Sequence, residues 1–392
     1  MTDTAGLARL QSAADHGLAA LRAGDFAAAV SHLRLVAASG RADADVWLAL
    51  AYACRGARDD DGALSAVDQT LKQQPRHLRG LILKGDLLTR RADERSATTF
   101  YRAALRAAEG QAPAPEVVVE LRRAEAAVAD SARAFADHIR RAAAEAGFDP
   151  ETSSRRFARS LDLATGQGRI FRQEPRYYFF PGLADIEFRD RADLRWIEAL
   201  EARTEDIRAE LMAELARGDG FAPYVEARDN RPNHGQAGMM GNPDWGALYL
   251  WKDGVEQAAA ARFPRTLAAL AEVEMTRIEG RTPSILFSRL KPGARIPPHT
   301  GLINTRLIGH LPLIVPRGCG FRVGDETRQW VEGQAWAFDD TLEHEAWNDG
   351  SEDRIILIFD LWKPEITLEE KGLITALFRS IDAYGGAERW DA

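Results

Sequence analysis

Cysteine is nearly missing from this chain: its 392 residues include Cys54 and Cys319 and no other. Two distant thiols exclude a disulfide framework and a cysteine-rich zinc module, and they fit a reducing compartment. Long apolar runs are missing too. No stretch approaches the ~18 uninterrupted apolar residues of a membrane span. The start, Met1-Thr2-Asp3-Thr4-Ala5-Gly6-Leu7, has no basic segment followed by an apolar core, so it does not read as a secretory signal. The cytoplasm is the expected location. An excess of positive charge is also lacking. Lys plus Arg number 51 against 59 Asp plus Glu, a formal net charge of −8. A general nucleic-acid binder needs clustered bases, and none is present. What remains is 45% hydrophobic and 28% charged, the composition of a folded globular protein. At roughly 100–200 residues per domain, two domains or slightly more are expected.

Alanine, leucine and arginine dominate residues 1–147, with apolar positions at three- and four-residue spacing and little proline, which predicts helices. The stretch repeats itself. Ala29, Ala63 and Ala97 are 34 apart, as are Asp25, Asp59 and Asp93, and as are Ala37, Leu71 and Leu105. A 34-residue period is that of the tetratricopeptide repeat, a pair of antiparallel helices. Trp47, Ala51, Gly85, Tyr101 and Ala104 fall at the bulky and small positions of such helices, and Pro75 ends the second unit. Three units over about residues 10–111, capped by a longer helix near 114–146, give an α-solenoid, each unit supplying the apolar neighbour the next one lacks. Its concave surface is a possible seat for a protein partner. The run Asp59-Asp60-Asp61 falls at a turn between units. It reads as solvated, since adjacent carboxylates do not converge on one ion without a shaped loop.

The composition changes after Gly147. Residues 148–174 read as a connector with a basic helical piece beginning at Arg155. Residues 175–392 form a second domain, rich in aromatic and β-branched residues and punctuated by Pro and Gly. Strands are expected at 176–180, 246–251, 283–290, 306–315, 320–323, 334–338 and 354–362, an amphipathic helix at 195–215 and a final helix at 365–384. Short strands at this spacing predict a β-sandwich or jelly roll.

Eight histidines are present. His16, His32, His77 and His138 lie in the helical part, and His234 in a Gly/Pro/Asn-rich stretch. His299, His310 and His344 fall in the β-rich region. His299 is placed at a turn after Ile296-Pro297-Pro298, and His344 between two strands. Imidazole is the commonest neutral metal ligand. Arg354 heads an apolar strand on which Arg354, Ile356 and Ile358 share a face. A charge at the head of that face requires an anionic partner if the face is interior. Trp245, Tyr249 and Trp251 read as core or as pocket lining. Asp339, Asp340, Glu343 and Glu345 read as neighbours that orient ligands or cap a turn.

The set His299-Thr300-Gly301, Asn304, Arg306, His310, Phe338-Asp339-Asp340, His344-Glu345, Trp347, Arg354 and Trp362-x-Pro364-Glu365 closely resembles the aspartyl/asparaginyl β-hydroxylase family, over about residues 175–367. The family consists of iron(II)- and 2-oxoglutarate-dependent oxygenases with a double-stranded β-helix core of the jelly-roll, cupin-like kind. Its animal members also join tetratricopeptide-like repeats to the oxygenase. The resemblance implies His299 and His344 as ligands of Fe(2+), with Gly301 where related oxygenases carry an acid. It implies Arg354 and Ser288 on the distal carboxylate of 2-oxoglutarate and His310 on the carboxylate beside the keto group, with Arg306, on the same strand face as His310, also counted among the residues that bind the cosubstrate. O2 is the co-reactant, and 2-oxoglutarate is decarboxylated to succinate as an unactivated C–H bond is hydroxylated. At Ile308 the animal enzymes carry an arginine that contacts an acidic substrate. The expected target is the β-carbon of an Asp/Asn-type residue in a peptide or protein. The alternatives are a small molecule or lipid acyl chain, or a non-catalytic binding protein.

Overall fold

The computed structural model describes residues 4–218, 220–225 and 240–385, so His234 lies outside the described residues. The chain divides into two compact units, residues 1–167 and 168–392.

The first unit is helical: α1 (Thr4–Ala23), α2 (Phe26–Ala38), α3 (Ala44–Gly56), α4 (Asp60–Gln73), α5 (Leu78–Arg90), α6 (Glu94–Ala108), α7 (Pro115–Glu145) and α8 (Arg155–Ala164). The 34-residue spacing of aspartates has a single cause. Asp25, Asp59 and Asp93 are the N-caps of α2, α4 and α6, accepting the amides of Ala28, Gly62 and Ser96 at 3.0, 2.9 and 3.1 Å. An unpaired first-turn amide is satisfied the same way in each repeat. Ala29, Ala63 and Ala97 are buried one turn further on. Gly85 of α5 lies so close to α6 that an added Cβ would sit 2.4 Å from the Tyr101 ring, which is why a small residue stands there. The acidic run is spoken for by neighbouring helices: Asp59 pairs with Arg34, Asp60 with Arg90 and Asp61 with Arg91.

The second unit contains α9 (Ile197–Glu201), α10 (Thr204–Leu215), α11 (Pro264–Ala269) and α12 (Leu368–Gly385). Its strands are β1 (Ala222–Pro223), β2 (Trp245–Lys252), β3 (Val255–Glu256), β4 (Ile285–Leu290), β5 (Arg295–His299), β6 (Arg306–Ile314), β7 (Cys319–Val323), β8 (Glu326–Arg328), β9 (Trp336–Phe338), β10 (His344–Asn348) and β11 (Arg354–Trp362). They form two antiparallel sheets. One has seven strands in the order β1-β2-β4-β11-β6-β9, with β3 on β2; the other has four, in the order β5-β10-β7-β8. On β11 the odd residues Ile355, Leu357, Phe359 and Leu361 pack with α9, α10 and Phe263. Ile356 faces the other way, into an apolar layer shared with Ile296, Phe321, Val323 and Ala346 of the smaller sheet. That alternation is the pleat, and it puts Arg354 between the sheets. Among the described residues no helix is long and apolar enough to cross a membrane.

Three expectations need correction. Residues 176–180 do not form a strand. The amides of Tyr177 and Tyr178 both reach the Leu302 carbonyl, and a shared acceptor cannot extend a ladder. The single helix expected at 195–215 is two helices, because Arg203 N turns back to Leu200 O and Thr204 Oγ1 takes the Glu201 carbonyl at 2.7 Å. His299 and His344 are not in turns: they end β5 and open β10. Pro297-Pro298 conceals β5, since prolines argue against a strand, but β5 is a sheet edge, where they are tolerated.

Removing the Asp59 cap by Asp59→Ala should lower the stability of the chain by about 1 kcal/mol in urea unfolding. Asp61→Ala, at a side chain 91% exposed, should leave the midpoint unchanged. Equal effects from both would contradict the capping account.

Candidate active site

His299 and His344 lie directly opposite each other across the antiparallel β5–β10 pair. Their ring centroids are 4.1 Å apart. Each Nδ1 faces a carbonyl two residues back, Pro297 O at 2.8 Å and Leu342 O at 3.0 Å. A carbonyl only accepts, so each Nδ1 carries the ring proton and each Nε2 keeps its lone pair. Burial pushes His344 down to about 4, and burial with the charge of the facing imidazole pushes His299 down to about 3. Both rings are therefore neutral at physiological pH and suited to bind a metal ion. Among the described residues no group of three or more His, Cys, Asp or Glu side chains is placed to hold one, so the donor set there stops at two imidazoles. A third ligand two residues after His299 has no room. A Cβ on Gly301 would lie 2.1 Å from Oδ2 of Asp340.

Arg354 opens β11, is 1% exposed, and extends over the Trp330 ring with its guanidinium carbon 4.8 Å from the ring centre. Its Nε has no hydrogen-bond partner, and among the described residues no carboxylate is paired with it. Burial lowers its pKa to about 10, which still leaves a cation at neutral pH. An unpaired buried cation is costly, and here it faces the interior between the sheets. Ser288 on β4 shares that face, opposite Ile356. Trp245 Nε1 donates to Ser288 Oγ at 3.2 Å, leaving the hydroxyl proton for another acceptor. His310 on β6 stands opposite Ile358, among Phe338 and Phe321 at ring distances of 4.9 and 5.2 Å. Burial first, then the charge of Arg354, holds it neutral, well below the ordinary range. Trp330 Nε1 donates to its Nδ1 at 3.4 Å, so its own proton is on Nε2. A cation and two hydrogen-bond donors thus line an interior that supplies no carboxylate to Arg354. A small dicarboxylate has the complementary chemistry.

Residues 201–364 match the family model described as aspartyl/asparaginyl beta-hydroxylase. This stretch of the C-terminal unit is therefore similar to an aspartyl/asparaginyl β-hydroxylase domain. The mouse aspartyl/asparaginyl beta-hydroxylase is 40% identical over 136 residues, 34% of this chain and 18% of that protein. The human protein of the same name is 33% identical over 183 residues, 46% of this chain and 23% of that protein. An ornithine lipid ester-linked acyl 2-hydroxylase of Rhizobium tropici is 32% identical over 179 residues, 45% of this chain and 60% of that protein. The chain thus covers less than a quarter of the first two relatives and 60% of the third.

Within the matched region one expected site residue is placed differently from the rest. Arg306 does share a strand face with His310, but its terminal nitrogens pair with Asp340 at 3.1 Å and Asp360 at 3.2 Å. Two buried carboxylates already pair with it, and Ile308 beside it is apolar. A role for Arg306 in holding an acidic cosubstrate is therefore replaced by an internal ion cluster. Sequence reasoning missed Trp330, which lies between Arg354 and His310 in a segment with no periodicity. It also missed Tyr224, which stacks on Trp245 at 4.0 Å and directly follows a two-residue strand too short to leave a signal. Trp245 itself is 6.2 Å from His299, centre to centre, so it lines the site.

The buried neutral histidines predict a pH dependence. An unfolded histidine takes up a proton near pH 6.5, while His299 and His344 stay neutral down to about 3 and 4. Below pH 6.5 the unfolded chain therefore binds more protons than the folded one, and stability falls as pH falls. Urea midpoints of the metal-free chain should drop between pH 7 and 5.5. The drop should shrink in His299→Gln/His344→Gln; an equal drop in that variant would refute the assignment.

Proposed function

We propose that the second unit is an iron(II)- and 2-oxoglutarate-dependent hydroxylase built on a double-stranded β-helix, acting on an Asp/Asn-type residue of a peptide or protein. The observation that carries this reading is the pairing of two neutral, Nε2-free imidazoles with a buried guanidinium that has no carboxylate of its own. His299 and His344 would hold the ferrous ion. Arg354 and Ser288 would take the distal carboxylate of 2-oxoglutarate, and the Nε2 proton of His310 the carboxylate beside its keto group. When bound, the ion and keto acid supply the activation of dioxygen that breaks an unactivated C–H bond. The chain's own part is to orient and to exclude water. Phe321, Phe338, Trp330 and Trp336 close the interior around His310, so charge placed on Arg354 is felt at low dielectric.

A second reading concerns the target. Ile308 is apolar and Arg306 is matched by two carboxylates, so the strand that would meet an acidic group offers it no free cation there. That favours an uncharged target such as an acyl chain, the kind of substrate named for the Rhizobium tropici relative. Offering Asp- and Asn-containing peptides and acyl lipids to the iron-loaded chain, and weighing the products for one added oxygen atom, separates the two. Succinate formation without a mass gain on any of them would favour neither target.

His299→Ala should abolish iron-dependent succinate formation. Arg354→Met should raise the KM for 2-oxoglutarate by about 100-fold, the order expected when one partner of a buried charge pair is removed. It should also raise the melting temperature of the ligand-free chain, because an uncompensated buried cation is gone. Added 2-oxoglutarate with metal should stabilise the parent chain and not the variant. A variant that melts lower and still responds to 2-oxoglutarate would rule out the role given to Arg354.

A further inference from the structure

A buried polar network of the second unit contains none of the groups proposed to hold the metal or the keto acid. Lys363 Nζ pairs with Asp339 Oδ2, and neither side chain has any exposed surface. The same Oδ2 accepts Gln173 Nε2 at 2.9 Å. Asp339 Oδ1 accepts Thr341 N at 3.0 Å and Thr341 Oγ1 at 2.6 Å. Gln173 Oε1 accepts Asn304 Nδ2 at 2.7 Å, and Asn304 Oδ1 accepts the Phe180 amide at 2.7 Å. Main-chain bonds follow the same route. Lys363 N donates to Thr305 O at 3.1 Å, Glu174 N to Thr341 O at 2.8 Å and Arg176 N to Gly301 O at 3.0 Å.

The origins of these residues matter more than their number. Asn304 and Thr305 belong to the turn that leaves His299. Asp339 and Thr341 belong to the turn that enters His344. Lys363 is the first residue beyond β11, the strand that Arg354 opens. Gln173 comes from the extended strap at 173–180, which lies against both turns. One buried point therefore ties together the three segments that carry His299, His344 and Arg354. Stability is a poor reason for a charged pair at that point. Desolvating both ions is costly, and apolar side chains of like volume commonly serve as well or better. What a charged, hydrogen-bonded pair supplies is direction, because each atom has one place to be.

We propose that the Lys363–Asp339 pair, linked to Asn304 through Gln173, is a positioning clasp that sets the two imidazoles relative to one another. The proposal rests on the metal reading above, and adds what holds those two rings in register.

Titration of the metal-free full chain with Co(2+), whose visible bands report coordination, tests it. Lys363→Met/Asp339→Asn removes both charges and nearly keeps the volume. The expected result is a melting temperature within a few degrees of the parent or above it. Co(2+) affinity should be weaker by about 10- to 100-fold, the range seen when outer partners of metal ligands are lost, with altered bands. Parent-like affinity and bands in a variant that melts like the parent would overturn the clasp. If the double variant fails to fold, Gln173→Met cuts the tie to Asn304 and leaves Lys363–Asp339 paired. It should weaken Co(2+) by about 10-fold, and parent-like affinity there overturns the proposal equally. Failure of the metal reading looks different: the parent chain itself would bind no Co(2+), or His299→Ala would bind it as well as the parent.

Discussion

The register of β5 against β10 is the constraint on which the site depends. His299 faces His344 because the two strands pair at those residues. Strand side chains alternate with period two, so a slip of one residue would send one ring to the other face. The register is held from both sides. Ile296 and Ala346 pack into the apolar layer between the sheets, and each imidazole is pinned by a carbonyl of its own chain.

Both units bury some side-chain atoms without partners, among them Arg79 Nε and Glu120 Oε2 in the helical unit. In the helical unit the repeated aspartates satisfy helix ends and pair with arginines of neighbouring helices, so charge there serves the fold. In the β unit some groups are left unmatched: the Arg354 Nε and the Asp340 Oδ1 are buried without partners. A fold that leaves such atoms unmatched is destabilised by them. The surrounding core offsets that cost, with Phe287, Phe359, Leu357 and Leu311 wholly buried on the opposite face of the large sheet. Under the proposed function, the Arg354 guanidinium is where the keto acid would bind.

Much of this was legible in the sequence, for identifiable reasons. The 34-residue spacing of Asp25, Asp59 and Asp93 is readable because each repeat solves the same capping problem. β11 is readable end to end because a central strand is apolar on both faces, so Arg354 stands out at its head. The motif around His299 and His344 is readable as a family resemblance, and residues 201–364 match that family's model. Other features were not legible. The two prolines conceal β5, and β10, His344-Glu345-Ala346-Trp347-Asn348, alternates in burial but not in polarity over only five residues. The pairing of Arg306 with Asp340 and Asp360 spans 34 and 54 positions, a contact no local pattern reveals. Lys363, Asp339 and Gln173 look like surface residues by type and meet only when three distant segments fold together.

Pro297 and Pro298 do more than disguise a strand. β5 is an outer strand of its sheet, and two neighbouring residues without an N–H leave that border short of donors. Neither a second copy of the chain nor an extended polypeptide can be stitched along it by a full main-chain ladder. Whatever approaches His299 from that border meets fewer main-chain donors, and its side chains carry more of the grip.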